Sequence, residues 1–362
     1  MLIVFCNKFI WLAKIVFISI TMNSKHKKYH LKKLIKKEYR THKRLKKTNQ
    51  PLIIGYLPAE ACGWILEYLF KDLSSYFKNY GYVLCKSPLE VFIESHNRNY
   101  HIVSLSQLFI EDLGNFCFNK KMISSFYTHS RLNQSNFAKL SEIKNILPMN
   151  NTEGAYLNLE MGNNTNINVF PLGFDHKMFF NKFLKTEEKD IDILIVQRYI
   201  KDENSYYFKR KNCSLTKDLI FLLNKELNIK VLGKGWEFSD IPKDLIINDI
   251  SYKNFPNLYN RTKIFLNLSL LEGGPISLLE SLACGCITMT FPTGFILDYE
   301  LRDLNSYIIP QNSKKLKISE TIKNILNKYE PITRLEQQKR DLQIYNSSFE
   351  FLSQELIRIL NK

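Results

Sequence analysis

From residue 51 onward, short apolar runs alternate with segments whose apolar residues recur at helical spacing. Residues 52–57 form a continuous apolar run typical of a buried strand, and residues 64–77 place apolar side chains on one helical face. Further strand-like runs cover residues 82–85, 102–105, 122–127 and 146–149. Strands that alternate with helices in this way predict a mostly parallel sheet.

A second series of the same kind begins after Asp175. Its predicted strands and helices are residues 191–196, 216–227, 229–232, 264–268, 276–284 and 286–291. The sequence therefore predicts an α/β protein with two α/β units joined by a short connection around residues 174–190. The predicted domains are residues 51–173 and 174–334, and a helix in residues 335–362 is expected to pack back on the first domain.

The positive charge of the chain is concentrated in an N-terminal extension. Residues 1–50 contain fourteen of the 51 lysines and arginines and one of the 35 acidic residues, so they carry thirteen of the sixteen net positive charges. The body is nearly neutral, which argues against a basic groove for nucleic acid. An alternative is a nucleic-acid-binding protein that acts through the basic extension alone.

The same extension predicts contact with a membrane. Residues 2–20 are mostly apolar and long enough for one span, but Lys14 in that run costs about 2.5–3.5 kcal/mol on insertion. Residues 25–47 predict a cationic helix with a thin apolar stripe, suited to an anionic membrane surface. A solvated charge run, or a true start at Met22, is the alternative. If residues 2–20 span a membrane, the flanking cations place the body in the cytosol.

Cysteine usage points to the same compartment. The seven cysteines are odd in number and irregularly spaced, with no paired-ligand motif. Free thiols in a reducing compartment are the plain interpretation. A cytoplasmic protein, peripheral at or anchored to the cytosolic face of a membrane, is expected.

The segment 265–294 carries the candidate chemistry. An apolar strand runs into Glu272, then Gly273 and Gly274, which permit close approach of a ligand to the backbone. Pro275 suits a first helical turn, and the predicted helix presents free N–H groups and a positive dipole end to a phosphate. Glu280 lies inside that helix. Carboxylates can accept hydrogen bonds from paired sugar hydroxyls.

This segment resembles the donor site of retaining, GT-B-fold glycosyltransferases of the group 1 family. Their Glu-x7-Glu motif has the form E-G-x-P-x-x-x-x-E-A-x-A-x-G, and its residues here are Glu272, Gly273, Pro275, Glu280, Ala283 and Gly285, with Ser281 in place of the first alanine. Residues 170–179 resemble the family's linker between domains. Residues 193–199 resemble its strand that ends in Gly-Arg, with Gln197 for the glycine and Arg198 kept. Residues 231–236, which include Lys234, resemble the turn near the nucleotide base.

The resemblance implies two Rossmann-like domains that face each other across a cleft. It also implies transfer of a sugar from a nucleotide-diphosphate sugar to a glycan or lipid-linked acceptor, with retention of configuration. Glu272 would hold sugar hydroxyls, Glu280 the ribose, and Arg198 with a second cation the diphosphate. No metal and no cofactor besides the donor substrate are expected. Three consecutive cations are candidates for the second position, and Lys211 is preferred over Lys209 and Arg210 because it is closest to the next helix.

Two residues of the N-terminal half complete the predicted site. Gly63, before the first helix, resembles a reduced glycine loop that faces the donor phosphates, and His129 follows a strand where related enzymes have a histidine on the donor sugar. A structural turn and a structural histidine are the alternatives.

Two other functions use different features of the chain. A metal-dependent GT-A-type glycosyltransferase would use Asp190 and Asp192 as ligands. A catalytically inactive nucleotide-sugar-binding module would keep the fold without turnover.

Overall fold

The computed structural model describes residues 50–61, 65–95, 99–114, 119–128, 139–162, 166–248, 250–299 and 306–362. Apart from Gln50, the predicted N-terminal extension lies outside these residues, so its membrane contact stays a prediction. Within the described ranges, no helix combines the length and the apolar character that a membrane crossing requires.

The first sheet, within the described residues, has five parallel strands in the order β2-β1-β3-β4-β5. The strands are β1 (Leu52–Tyr56), β2 (Gly81–Cys85), β3 (Tyr100–Ser104), β4 (Ile123–Tyr127) and β5 (Asn145–Pro148). The helices that follow them are α1 (Ile65–Ser74), α2 (Pro88–Ser95), α3 (Ile110–Gly114) and α4 (Asn151–Met161). Helix α1 buries Leu66, Leu69, Phe70 and Leu73, which share one face. Each such side chain contributes roughly 1.5–3 kcal/mol of transfer free energy.

The second sheet is also parallel, in the order β11-β10-β9-β6-β7-β8. Its strands are β6 (Ile191–Val196), β7 (Ile229–Leu232), β8 (Ile246–Ile247), β9 (Thr262–Asn267), β10 (Ile287–Thr290) and β11 (Ser306–Ile308). Its helices are α5 (Tyr206–Lys211), α6 (Cys213–Leu223), α7 (Phe255–Asn260), α8 (Ile276–Ala283) and α9 (Lys315–Asn327). Because β6 and β9 are central neighbours, the loops at their carboxyl ends lie side by side. In open parallel sheets this edge is where ligands bind.

The predicted long C-terminal helix is two helices, α10 (Arg334–Ile344) and α11 (Phe349–Asn361). The break has a physical cause. Ser348 caps α11 through its hydroxyl, and the backbone there pairs with Phe174 in the connection between the two sheets, through Phe174 N to Ser347 O (3.0 Å) and Phe349 N to Phe174 O (3.0 Å). Beyond the break, α11 packs against α1 of the first sheet.

The two parallel sheets with covering helices confirm the predicted α/β class. Each sheet carries its own buried residues, and one apolar cluster also joins the first sheet, the connection and helix α8. The ends of two helices differ from the predicted ranges. Helix α6 begins at Cys213 and not at residue 216, and α1 ends at Ser74 and not at residue 77.

Candidate functional site

Glu272 lies in the loop between β9 and helix α8, at the carboxyl edge of the second sheet. Its backbone N–H donates to Thr293 Oγ1 (2.7 Å) in the loop after β10, so two neighbouring loops are joined. The glycines make this close packing possible. A Cβ at Gly274 would overlap the ring of Phe295, and a Cβ at Gly294, which has a φ of 60°, would lie 2.8 Å from Gly273 O.

Two cations surround the Glu272 carboxylate. Lys211 Nζ donates to Oε1, and Arg210 Nη1 lies 3.5 Å from Oε2. The side chain is 13 % exposed. Burial raises the pKa of Glu272, but the charges of Lys211 and Arg210 outweigh it and hold the pKa below its ordinary value. Glu272 is therefore an ionised acceptor at neutral pH.

The geometry of the 206–212 segment explains why two cations converge. Helix α5 ends at Lys211, and Asn212 adopts a left-handed conformation with a φ of 53° before α6 begins. Arg210 also donates to Leu271 O (3.2 Å), which ties α5 to the Glu272 loop. Of the three predicted candidate cations, Lys211 and Arg210 are brought to Glu272.

Gln197 connects three elements of this region, a role that the sequence does not predict. The side-chain amide of Gln197 donates to Lys211 O (2.9 Å), and the backbone carbonyl of Gln197 accepts from Trp236 Nε1 (2.6 Å). One residue thus links the end of β6 to the end of α5 and to the loop after β7. The available signal was its position, because glutamine stands where the resemblance predicts glycine.

Arg198 and Lys234 are exposed on the neighbouring loops after β6 and β7. The two loops are in backbone contact, since Tyr199 N donates to Lys234 O (3.0 Å). Gly233 and Gly235 have φ values of 144° and 97°, and a Cβ at either would overlap a carbonyl of the 197–199 segment. The glycines therefore bring both cations to the same edge of the sheet as Glu272.

Glu280 is 3 % exposed inside α8. Both of its oxygens accept hydrogen bonds from tyrosines: Oε1 from Tyr252 and Oε2 from Tyr259 (2.9 Å). Burial raises the pKa of Glu280 to about 7, against the opposing effect of these hydrogen bonds. The sequence predicts a ribose ligand here, whereas the structure gives the carboxylate two internal partners.

The first domain reaches the Glu272 loop through the N-terminus of α4. Asn150 Nδ2 donates to Gly273 O (2.8 Å), and Asn151 N donates to Asp298 Oδ2 (2.9 Å). Glu153, in the first turn of α4, has a pKa raised to about 7 by burial. These residues were not predicted, because an asparagine before a helix looks like an ordinary cap.

The other predicted residues lie elsewhere. Gly63 and His129 lie outside the described residues. Asp190 and Asp192 flank the amino end of β6, opposite the Glu272 edge, and pair with Arg261 (Nε to Oδ1, 2.8 Å) and Lys263 (2.8 Å). The part of the chain that the structure describes has no cluster of potential metal ligands.

The arrangement suits a ligand that carries both hydroxyls and phosphate. An ionised, partly buried carboxylate can accept hydrogen bonds from hydroxyls, and the cations of the adjoining loops can bind an anion. The amino end of α8 adds its dipole on the same side.

Comparison with known proteins identifies a matching family model and similar folds. Residues 243–342 match the family model described as glycosyl transferases group 1, which confirms the predicted resemblance to that family. The fold is similar to a glycosyltransferase from Rickettsia africae, with 14 % identity, 87 % of this chain and 98 % of that chain covered, and a TM-score of 0.63. No curated protein matches the chain by sequence.

Two further solved structures are similar. Sucrose-phosphate synthase from Thermosynechococcus elongatus has 13 % identity and a TM-score of 0.58, over 84 % of this chain and 80 % of that chain. HepE from Anabaena, in complex with UDP, has 11 % identity and a TM-score of 0.56, over 86 % and 99 %. The two-domain arrangement is therefore the GT-B fold, and the GT-A alternative is wrong.

Proposed function

We propose that the chain is a retaining glycosyltransferase that moves a sugar from a nucleotide-diphosphate sugar to a glycan or lipid-linked acceptor. The observation that carries the proposal is the contact of the Glu272 carboxylate with both Lys211 and Arg210, in the loop that leads into α8. This cluster lies at a ligand-binding edge of a parallel sheet, and Glu272 lies in the region that matches the group 1 family model.

In this proposal Glu272 accepts hydrogen bonds from the donor sugar, and Arg198 and Lys211 bind the diphosphate. The bond between the anomeric carbon and the phosphate oxygen breaks, and the acceptor oxygen bonds to the same face of the sugar. The acceptor proton passes to the departing phosphate. The cations and the α8 dipole stabilise the charge that develops there, which is electrostatic catalysis.

The ribose role of Glu280 carries a condition. Its two oxygens already accept hydrogen bonds from Tyr252 and Tyr259. Ribose binding would therefore require one tyrosine to release its oxygen. Tyr252 is the better candidate because it is partly exposed on a short turn, whereas Tyr259 is fully buried.

Uridine nucleotides are the first donors to test, because solved structures of HepE hold UDP and UDP-glucose. The full chain is screened for thermal stabilisation by UDP-, GDP- and ADP-sugars, and release of the nucleoside diphosphate is then followed with and without glycan acceptors. We expect stabilisation by one donor class and turnover that Glu272→Gln lowers by about 10²-fold or more. The absence of both would overturn the proposal.

Two variations of the assay separate the alternatives. Donor binding without turnover on any acceptor or water would favour an inactive binding module. Activity should survive EDTA, because the proposed diphosphate site uses side-chain cations and a helix dipole. Loss in EDTA that manganese restores would contradict this mechanism.

A further inference from the structure

One buried side chain of the first domain makes two hydrogen bonds of opposite sense. Asn150 is 2 % exposed. Its Oδ1 accepts from Glu153 N (2.8 Å), which caps helix α4, and its Nδ2 donates to Gly273 O (2.8 Å) in the other domain. A backbone N–H can only donate and a carbonyl can only accept, so the orientation of the amide is fixed by its partners.

The carbonyl that Asn150 holds belongs to the residue after Glu272. In the same loop, Glu272 N donates to Thr293 Oγ1 (2.7 Å). The loop is therefore held from both domains, by Thr293 in its own domain and by Asn150 across the interface. The neighbouring bond from Asn151 N to Asp298 Oδ2 (2.9 Å) keeps the start of α4 in register with the second domain.

We propose that Asn150 is a positioning residue that holds the Glu272 loop in place from the first domain. Without the Asn150 amide, the loop would keep only its anchors within the second domain, such as the bond from Glu272 N to Thr293 Oγ1. The catalytic consequence rests on the proposed function, whereas the positioning itself can be measured without a ligand.

The two roles of Asn150 can be separated by substitution. Asn150→Asp and Asn150→Ser both retain a side-chain oxygen that caps α4, but neither presents the amide donor to Gly273. The serine variant adds no charge near Glu153 and Asp298. Asn151→Ala is the matched control, because Asn151 uses its backbone N–H and its side chain is exposed.

Hydrogen–deuterium exchange on the full chain tests the positioning. We expect the amides of residues 272–274 to exchange about fivefold or more faster in both Asn150 variants, with the amides of α4 unchanged. Asn151→Ala should match the wild type in both segments. Unchanged exchange at residues 272–274 in both Asn150 variants would overturn the proposal, and so would an increase confined to α4.

UDP binding by calorimetry gives the second measurement. If the wild type binds UDP, the Asn150 variants should bind about fivefold or more weakly, and Asn151→Ala should stay within about twofold. Equal affinity in all four proteins would contradict the coupling between the domains and the donor site. If the wild type binds no nucleotide or nucleotide sugar, the proposed function fails, and the exchange result still decides the positioning role.

Discussion

Lys211 donates a hydrogen bond to the carboxylate of Glu272, which lies 61 residues further along the chain. The contact depends on the reversal at Asn212, which ends α5 with its last side chains turned toward the loop after β9. The positive charge of Lys211 favours the ionised form of Glu272. The same contact places Lys211 beside the loop that leads into the amino end of α8. The pair thus supplies the hydroxyl acceptor and the anion binder that a sugar diphosphate requires.

The first prediction concerns the charge of Glu272. Glu272→Gln removes the negative charge but keeps the shape, so Lys211 and Arg210 lose their partner. We expect activity on the donor to fall by about 10²-fold or more. Glu187→Gln is the control, because Glu187 is exposed and precedes β6, away from the carboxyl edge of the second sheet. It should leave activity unchanged. Nucleotide release measured for both variants checks this, and activity within a few-fold of wild type in Glu272→Gln would remove Glu272 from the site.

The contact between Lys211 and Glu272 also separates what the sequence predicts from what it does not. The strand, glycine loop and helix around Glu272 follow from local pattern, because each feature is set by neighbouring residues. Among the three consecutive cations, nearness to the next helix favours Lys211, but the contact of Arg210 with Glu272 depends on the short α5 and on the conformation of Asn212. The same holds for Asn150, whose partner is 123 residues away.

The tyrosine partners of Glu280 illustrate a different reason. The motif places an acidic residue in α8, but its environment depends on how α7 and the turn before it pack. Tyr259 lies in α7 and Tyr252 on that turn, and both aim their hydroxyls at Glu280. The charge of Glu280 is thereby tuned by residues that no local pattern connects to it.

Arg198 and Lys234 should behave differently when each is changed to alanine. Both are exposed on adjoining loops, but Arg198 is proposed to stabilise charge that develops on the leaving diphosphate. We expect Arg198→Ala to lower kcat by about 10–10²-fold with a smaller effect on donor KM. Lys234→Ala, near the proposed base, should mainly raise donor KM. Steady-state kinetics separate the two, and an effect of Arg198→Ala on acceptor KM alone would contradict its role.

Glu280 and its tyrosines give a third prediction, measured at pH 8.5 because the pKa of Glu280 is about 7. Glu280→Gln should keep the fold and weaken UDP binding by about tenfold or more, since a charge-assisted acceptor is lost. Tyr259→Phe should also weaken binding, because that hydroxyl holds the second oxygen in both states. Tyr252→Phe should bind UDP at least as well as wild type. Weaker UDP binding by Tyr252→Phe than by Tyr259→Phe would show that Tyr252 does not release its Glu280 oxygen to the ribose.

The interface between the domains predicts a pH dependence. The pKa of Glu153 is raised to about 7, chiefly by burial and in smaller part by the charge of Asp298, while hydrogen bonds from Met149 and Asn150 oppose the shift. A carboxyl with a raised pKa favours the folded state while protonated, so its contribution is full at low pH and is lost as pH rises through about 7. Glu153→Gln mimics the protonated form. We expect this variant to lose about 1–3 kcal/mol less stability than wild type between pH 5 and pH 8.5.

Denaturant unfolding at both pH values checks this prediction. Glu160→Gln is the matched control, because Glu160 is exposed on the same helix. Its stability should follow the wild type across the range. An identical pH profile for wild type and Glu153→Gln would mean that Glu153 is ionised, or solvated, throughout the window.

The last prediction concerns residues 1–50, which carry thirteen of the sixteen net positive charges. Each cation near an anionic surface contributes about 1 kcal/mol, so part of the set is enough to hold the protein there. A lipid-linked acceptor would make that placement useful. The full chain should bind vesicles that contain anionic lipid, and a chain that lacks residues 1–50 should not, while both turn over the donor. Release by high salt would indicate a surface helix, because screening weakens exposed charges. Attachment that resists salt and needs detergent would indicate that residues 2–20 insert, and equal binding of both chains would remove the extension from targeting altogether.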